Sequence, residues 1–438
     1  MERMLATFGL LMFWSLCCAG NEPTRALLME SSVRHGADIN AFAMRVSEVK
    51  GKRAPQSNPS ELSREADIDR EISISRDRER ADRLKMQGAA AYQAGAYNVA
   101  ISLLKDAYEI VQRTKPQNEL QRLEIINNLG VVYLATGRYD LAHPLLLESL
   151  NGRKQVLGPN HMETIDVLEN LATLNRMTGN IQKAINLYKR TLEARKETLG
   201  PDDPKTLTSM HNIAAMHRIQ GNYKEAESLF KRVLLSRREY QGESHPSTLT
   251  TTNSLAVLYL VTERFHEAKP LARRALAGKI KVRGPEHPST LAARSVLASI
   301  YLGLGRLSEA ERLGKQTLEG RRRVLGTDNV DTARSIDFLV NVYRSQQRLE
   351  EALSLSRETL DVHKRMHGAK HFSTAVRMNN LAVILMALDK FPEAESYLLK
   401  AIKVKKLVVG SDHPSTLNTK NNLAQLYLQY QGSDLAEQ

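Results

Sequence analysis

Residues 160–201 read NHMETIDVLENLATLNRMTGNIQKAINLYKRTLEARKETLGP, and this pattern recurs along the chain every 42 residues. One apolar row shows the register, since Leu129 is followed at that spacing by Leu171, Ile213, Leu255, Leu297, Leu339, Leu381 and Leu423. Rows that start at Ala142, Gly158 and Thr164 keep the same register without an insertion. Self-similarity at one fixed spacing is typical of a solenoid, in which a small unit is stacked many times. Such a chain usually works through a long surface, not through one reaction centre.

Each copy of the pattern predicts two helices. Apolar residues of 160–201 recur three and four positions apart, which is helical spacing. Gly179 separates a helix A, about 163–178, from a helix B, about 181–199, because glycine adopts a left-handed conformation at low cost. One such pair cannot bury both of its faces, so it needs neighbours on either side. We therefore expect residues 79–438 to form about eight helix pairs and a truncated last repeat.

Several stretches of these repeats resemble one known type. They are Asn127-Asn128-Leu129-Gly130, Gly179-Asn180, Gly221-Asn222-Tyr223-Lys224-Glu225-Ala226-Glu227, Leu199-Gly200-Pro201-Asp202-Asp203-Pro204 and Asn380-Leu381-Ala382. From about Arg80 onward, the chain resembles tetratricopeptide repeat proteins of the kinesin light chain type, which nephrocystin-like proteins share. The resemblance implies an all-α fold, a right-handed superhelical solenoid of antiparallel helix pairs. It also implies a non-catalytic peptide-binding role, with cargo recognition in the light chains. Two departures argue against a motor role, since the long N-terminal heptad region is missing and a signal-like segment is present.

Composition narrows the class of partner. The formal net charge is +13, and basic and acidic residues balance in residues 1–78, so the excess lies in the repeats. A basic array favours acidic peptides, nucleic acid or an anionic membrane surface. The aromatic content is 5%, without interleaving of aromatic and basic residues, which argues against nucleic acid. Both cysteines, Cys17 and Cys18, lie near the N-terminus, so a disulfide framework or a thiol-ligated zinc site is not expected in the array.

The first twenty residues differ in kind from the rest. Arg3 precedes an apolar run that ends at Leu16 and is followed by small residues up to Gly20. This run is shorter than the ~20 residues of a membrane span, and its pattern predicts a signal peptide at residues 1–20. A signal peptide would direct the protein to the secretory pathway or the extracellular space. Membrane contact is expected only through residues 1–20. An apolar tail or a short anchor on a cytoplasmic protein is the alternative. Residues 21–78 are predicted to form a flexible linker with a charged helical lead-in.

Candidate binding residues lie on helix A, on the stripe expected to line the inner groove. An asparagine recurs there as Asn128, Asn170, Asn212, Asn380 and Asn422. An amide both donates and accepts hydrogen bonds, and asparagine is a poor residue for the middle of a helix. The row indicates either a ladder that holds an extended peptide or amides that tie adjacent helices A together. Arg176, Arg218 and Arg344 share a neighbouring position, where they either meet acidic ligands or form a solvated edge.

Other recurring residues have simpler interpretations. Lys189, Lys231, Arg273, Lys315 and Arg357 recur on helix B and are expected to face solvent, with membrane or nucleic-acid contact as the alternative. The loop histidines His161, His245, His287, His371 and His413 are expected to be turn residues, because the ~10 Å spacing of packed helices is too wide for shared metal ligation. No catalytic or phosphate-binding motif is present, so neither enzymatic activity nor a cofactor is expected. The predicted function is an interaction scaffold for acidic peptides. A structural spacer, a light-chain-like cargo adaptor, or an enzyme with its catalytic part beyond Gln438 are the alternatives.

Overall fold

The computed structural model describes residues 59–114 and 119–436, which form seventeen α-helices and no strand. The predicted signal peptide and residues 21–58 of the predicted linker lie outside the described residues. The helices, in chain order, are α1 (Pro59–Gln93), α2 (Tyr97–Arg113), α3 (Glu119–Ala135), α4 (Tyr139–Val156), α5 (Met162–Met177), α6 (Ile181–Leu199), α7 (Pro204–Ile219), α8 (Tyr223–Gln241), α9 (Pro246–Val261), α10 (Phe265–Arg283), α11 (Pro288–Gly303), α12 (Leu307–Leu325), α13 (Val330–Ser345), α14 (Leu349–His367), α15 (Phe372–Met386), α16 (Phe391–Val409) and α17 (Pro414–Ala436).

The chain divides into two compact units, with the boundary after Arg237. In the first unit, each helix from α1 to α6 packs against the next one along the chain, and α3 also contacts α5. Leu207 and Met210 of α7 pack against Val233 of α8. In the second unit, α9 contacts α11, α11 contacts α13 and α15 contacts α17, in addition to the sequential pairs. The odd-numbered helices are thus helices A and the even-numbered ones are helices B. Each unit is a stack of helix pairs, as the period predicts.

The beginning of the array is one long helix. The expected boundary at residue 78 falls inside α1, which runs without interruption from Pro59 to Gln93. The charged lead-in and the first helix A therefore form one helix. The physical reason is that no proline follows Pro59 and no glycine precedes Gly88 within this stretch, so no residue there breaks the helix.

Small residues mark the crossings of helices A and B. Ala172 and Ala184 are fully buried, and the row that contains Ala184 is fully buried in all seven copies, from Ala142 to Ala394. Tyr188 and Ile213 pack around this crossing in the first unit. Because alanine leaves only a methyl group between two helices, each helix pair approaches closely at this point.

The turns between helices A and B require a left-handed residue. Gly179 adopts φ 85° there, and non-glycine residues take the same conformation at Glu263 (φ 57°), Gln347 (φ 61°) and Asp389 (φ 56°). These are the three copies in which the sequence replaces glycine. The backbone conformation at this position is thus set by the repeat and not by the residue type.

The loop histidines start the helices A that follow them. The Nδ1 atom of His161 accepts a hydrogen bond from the backbone N–H of Glu163 at 3.3 Å, and His245, His287, His371 and His413 make the equivalent bond. A side chain that accepts such a bond caps a helix N-terminus. The prediction that these histidines are turn residues is confirmed.

A candidate binding face on the helices A

An amide ladder connects adjacent helices A. In each of its hydrogen bonds, an asparagine of the predicted row donates to a residue of the preceding repeat. The acceptor lies 43 positions earlier in the sequence. In the first unit, Asn170 Nδ2 donates to Asn127 Oδ1 at 3.0 Å, and Asn212 Nδ2 donates to Glu169 Oε1 at 2.9 Å. The repeat spacing thus brings α3, α5 and α7 into direct polar contact.

The second unit contains one further rung of the amide ladder. Asn422 Nδ2 donates to Asn379 Oδ1 at 2.9 Å, which joins α17 to α15. Asn380 Oδ1 accepts from Asn379 Nδ2 at 3.4 Å within α15. In both units, amides of the row therefore tie adjacent helices A together, which was one of its two interpretations.

Burial differs along the row. Asn170 is 0% exposed, Asn128 is 4% exposed and Asn212 is 5% exposed, whereas Asn380 and Asn422 are partly exposed. The Oδ1 atom of Asn170 has no hydrogen-bond partner among the described residues. A ligand reaches this atom only if neighbouring side chains move. A ligand-binding role for the row thus remains a prediction.

The acceptors of the ladder were not among the predicted site residues. Asn127, Glu169 and Asn379 occupy one repeat position, immediately before the asparagine row. A polar residue stands there in every copy, but its type changes between ammonium, amide, carboxylate, imidazole and hydroxyl. A search for one recurring residue type misses such a row, although its polarity on a buried helix face is a usable signal.

The predicted arginines have three different environments. Arg176 is partly buried beside Tyr188, whose hydroxyl lies 2.8 Å from Thr173 Oγ1, and burial raises the pKa of Tyr188 while Arg176 opposes that rise. Arg218 is buried and Arg344 is exposed. Arg176 is therefore the partly accessible cation beside the ladder of the first unit.

A second polar row, which we call the buried basic row, lies on the helices B. Its members are spaced by 42 residues and are all at most 6% exposed: Arg153, Arg195, Arg237, Lys279, Arg321, His363 and Lys405. Several members bind the first turn of the next helix A, as Arg195 Nη1 does to the carbonyl oxygen of Lys205 at 3.0 Å and to Ser209 Oγ at 2.9 Å. The row is visible as a period in the sequence, yet only the structure shows that these cations are buried.

Arg195 is the centre of a buried ion cluster. It contacts Asp166 Oδ1 at 2.5 Å and Glu169 Oε2 at 2.7 Å, and both carboxylates are almost fully buried. Burial raises the pKa of Glu169, while Arg195 opposes this rise. Lys205 adds a weaker contact of 3.4 Å with Asp166 Oδ2. The same Glu169 accepts the hydrogen bond of Asn212, so the ion cluster and the amide ladder share one residue.

Lys405, another member of the buried basic row, hydrogen-bonds to neutral oxygens. Lys405 Nζ donates to the carbonyl oxygen of Ser415 at 3.1 Å and to Thr419 Oγ1 at 2.7 Å. Burial lowers the pKa of Lys405 to about 8 and that of Arg237 to about 10. A charged group in this row thus loses hydration in exchange for contacts that join one repeat to the next.

The predicted solvent-facing row of helix B is confirmed. Its members are all exposed: Lys189, Lys231, Arg273, Lys315 and Arg357. Lys231 pairs with Glu227 at 2.7 Å, and Arg357 pairs with Glu393 at 2.9 Å. In the described part of the chain, no three histidine, cysteine, aspartate or glutamate side chains are grouped as metal ligands. None of the helices described there is both long and apolar enough to span a membrane.

The family of the chain follows from its comparison with known proteins. The tetratricopeptide repeat family matches residues 121–197, 179–234, 205–280, 247–323, 331–406 and 373–438. The chain therefore belongs to the tetratricopeptide repeat family, and the predicted all-helical repeat fold is confirmed. Proteins built from these repeats are typically interaction scaffolds without catalytic activity. No curated protein matches the chain.

Solved structures similar to the chain include two of the kinesin light chain kind. One is a Podosopora anserina protein with nearly identical TPR-like repeats, at 25% identity and TM-score 0.39, over 47% of this chain and 98% of that one. Another is BtubC (BKLC) from P. vanneervenii, at 21% identity and TM-score 0.40, over 53% and 93%. A Rap protein complexed with competence and sporulation factor matches at 11% identity and TM-score 0.52, over 82% and 98%. The similarity to the Rap protein concerns the fold alone.

Proposed function

We propose that this chain is a scaffold whose helices A bind short acidic segments of partner proteins, in extended or helical form. The observation that carries the proposal is the Oδ1 atom of Asn170, which is buried without a hydrogen-bond partner among the described residues. A buried acceptor that stays unsatisfied costs about 1–3 kcal/mol. A backbone N–H of a bound peptide is a donor that would remove this cost.

Charge supports the acidic character of the ligand. Arg176 is partly buried on the same helix as Asn170, about 9 Å further along and about 120° around the axis, so only its long side chain brings this cation near a peptide that reaches the amide. Arg218 holds the equivalent position on α7. An arginine binds a carboxylate through paired, charge-assisted hydrogen bonds. The Rap protein is a precedent for a ligand complex on a similar fold.

A structural spacer is the second candidate, because the Nδ2 atoms of Asn170 and Asn212 are already used between helices. The two candidates differ in what Asn170 does beyond the ladder. Asn127→Ala removes the same ladder bond but leaves Asn170 Oδ1 in place, so it is the matched control for Asn170→Ala.

The test selects ligands from a displayed library of acidic peptides on the full chain and measures their affinity for the variants by calorimetry. Asn170→Ala should weaken binding about fivefold, for about 1 kcal/mol per lost hydrogen bond, beyond any effect of Asn127→Ala. Arg176→Glu should weaken binding further, and the exposed control Lys189→Ala should not. Equal effects of Asn170→Ala and Asn127→Ala, or failure to select any peptide, would favour the spacer.

A further inference from the structure

One helix B has an unusual solvent face. We call it the α16 outer stripe, and it consists of five exposed residues: Leu399, Lys400, Lys403, Lys406 and Leu407. At 3.6 residues per turn, these positions fall within a sector of about 120°. Leu407 is 75% exposed and Leu399 is 49% exposed, eight residues and about 12 Å apart along the helix. The stripe thus combines two exposed leucines with three lysines and has no acidic residue.

The preceding helix B, α14, has a different pattern of charge on this face. On α14 the same five positions hold, in order, arginine, glutamate, aspartate, lysine and arginine. Arg365, the last of them, pairs with Asp328 of the preceding loop at 2.8 Å. One period later, these two positions are occupied by Leu407 and Lys370. The chain has replaced an ion pair by an apolar side chain and a cation.

The cations of this region are not neutralised within the described part of the chain. Lys370, Lys403 and Lys406 are exposed, and none of them forms an ion pair there. Of the two glutamates of α16, Glu393 pairs with Arg357 of the preceding helix B. Glu395, also near the start of α16, accepts a hydrogen bond from the hydroxyl of Tyr427. The next acid along the chain, Asp412, lies beyond the end of the helix. The region therefore attracts anions.

The composition of the stripe favours one class of anionic partner. Lysine is depleted in protein–protein interfaces, where aromatic residues and arginine are enriched. Lysines beside exposed aliphatic side chains instead match the surface of an anionic membrane, which attracts lysine and accepts aliphatic groups between its headgroups. We propose that the α16 outer stripe docks the chain on an anionic lipid surface, with Leu399 and Leu407 inserted and Lys400, Lys403 and Lys406 against the acidic headgroups. The proposal does not depend on peptide binding by the helices A.

The first test is co-sedimentation of the full chain with vesicles of phosphatidylserine and phosphatidylcholine in a one-to-two ratio. Each lysine near such a surface contributes about fivefold in partitioning, so Lys403→Glu with Lys406→Glu should weaken it by at least about 25-fold. The matched control reverses two exposed cations of α6, Lys183→Glu with Lys189→Glu, and should bind as the original chain does. Added salt should release the protein, because the attraction is screened.

The second test separates the stripe from any anchoring by residues 1–20. Trp14 is the only tryptophan of the chain, so Leu407→Trp in a Trp14→Phe background reports one position. Its emission should shift to the blue on the acidic vesicles and not on pure phosphatidylcholine. Leu235→Trp in the same background is the control, because Leu235 is 67% exposed on α8 and should show no shift.

Three outcomes would overturn the proposal. They are no binding to the acidic vesicles, equal losses for the α16 and α6 double variants, and an unshifted emission at position 407. In the first case an acidic protein surface would be the partner class to examine. A selective loss together with a selective shift would support lipid docking.

Discussion

The inter-helix turn gives a direct test of how backbone conformation limits stability. Gln347 and Gly179 hold the same repeat position, with φ 61° and φ 85°. A non-glycine residue in this region carries about 1–2 kcal/mol of strain. Glycine removes the strain but adds about 0.4–1 kcal/mol of conformational entropy to the unfolded chain. Gln347→Gly should therefore stabilise the second unit by about 0.5–1 kcal/mol.

The opposite substitution should act in the opposite direction. No heavy atom lies within 4 Å of a Cβ built at Gly179, so the Cβ of a substituted residue meets no steric obstacle. The whole penalty of Gly179→Val is then conformational, about 1 kcal/mol or more after the gain in unfolded-state entropy. Gly179→Val and Gln347→Gly can therefore be compared as opposite changes in backbone strain at one repeat position.

Native-state hydrogen exchange is the suitable assay, because a repeat array opens locally and a single global midpoint averages over the units. Amides around residue 347 should exchange faster than those around residue 179, and Gln347→Gly should slow them about two- to fivefold. Gln347→Ala is the control, because it removes the side chain but keeps the strained Cβ, and it should change little. Equal protection at both turns, or equal gains from Gly and Ala at position 347, would refute the reasoning.

Three further outcomes are expected. Arg195→Met leaves Asp166 and Glu169 buried without their main cation and should destabilise the first unit by about 3–5 kcal/mol in urea denaturation, partly restored by adding Glu169→Gln. Burial lowers the pKa of His363 from its ordinary value of 6.5 to about 3, so only the unfolded chain takes up this proton between those values. The contribution of His363 to the free energy of unfolding is therefore retained at neutral pH and falls by about 3 kcal/mol between pH 7 and pH 4. His363→Gln should abolish this part of the dependence of stability on pH. Mass spectrometry of the native protein should find a chain that starts near Gly20, and an intact first residue would contradict the predicted signal peptide.

The fold was largely predictable because the period is local and repeated. Each copy contributes the same apolar row, the same small residues at the helix crossing and the same left-handed turn. A helix boundary that is ambiguous in one copy is therefore indicated by the equivalent positions of the others. The converse holds around the boundary predicted at residue 78. Residues 60–87 occur once, and no repeated landmark separates the lead-in from the first helix A of α1.

The candidate site was only partly predictable. The recurrence of Asn170 and Asn212 identified a polar row, but the sequence left open whether it faces a ligand or the next helix. The structure brings Asn170 to 3.0 Å from Asn127, a residue whose position varies in type from copy to copy. The choice of partner depends on how far one helix A is displaced along the next. That displacement depends on packing between helices and not on the local pattern.

The sequence by itself determined the class of this protein, since helical spacing, the turn glycines and the fixed period each follow from local residue types. Tertiary structure decided which polar rows are accessible. The basic rows that contain Lys189 and Arg195 have the same period, yet Lys189 is exposed while Arg195 is buried against Asp166 and Glu169. Six residues on a helix separate them by about 120° around its axis, after a whole number of turns is subtracted. Only the packing of the next helix A turns that angle into the difference between a solvated cation and a buried one.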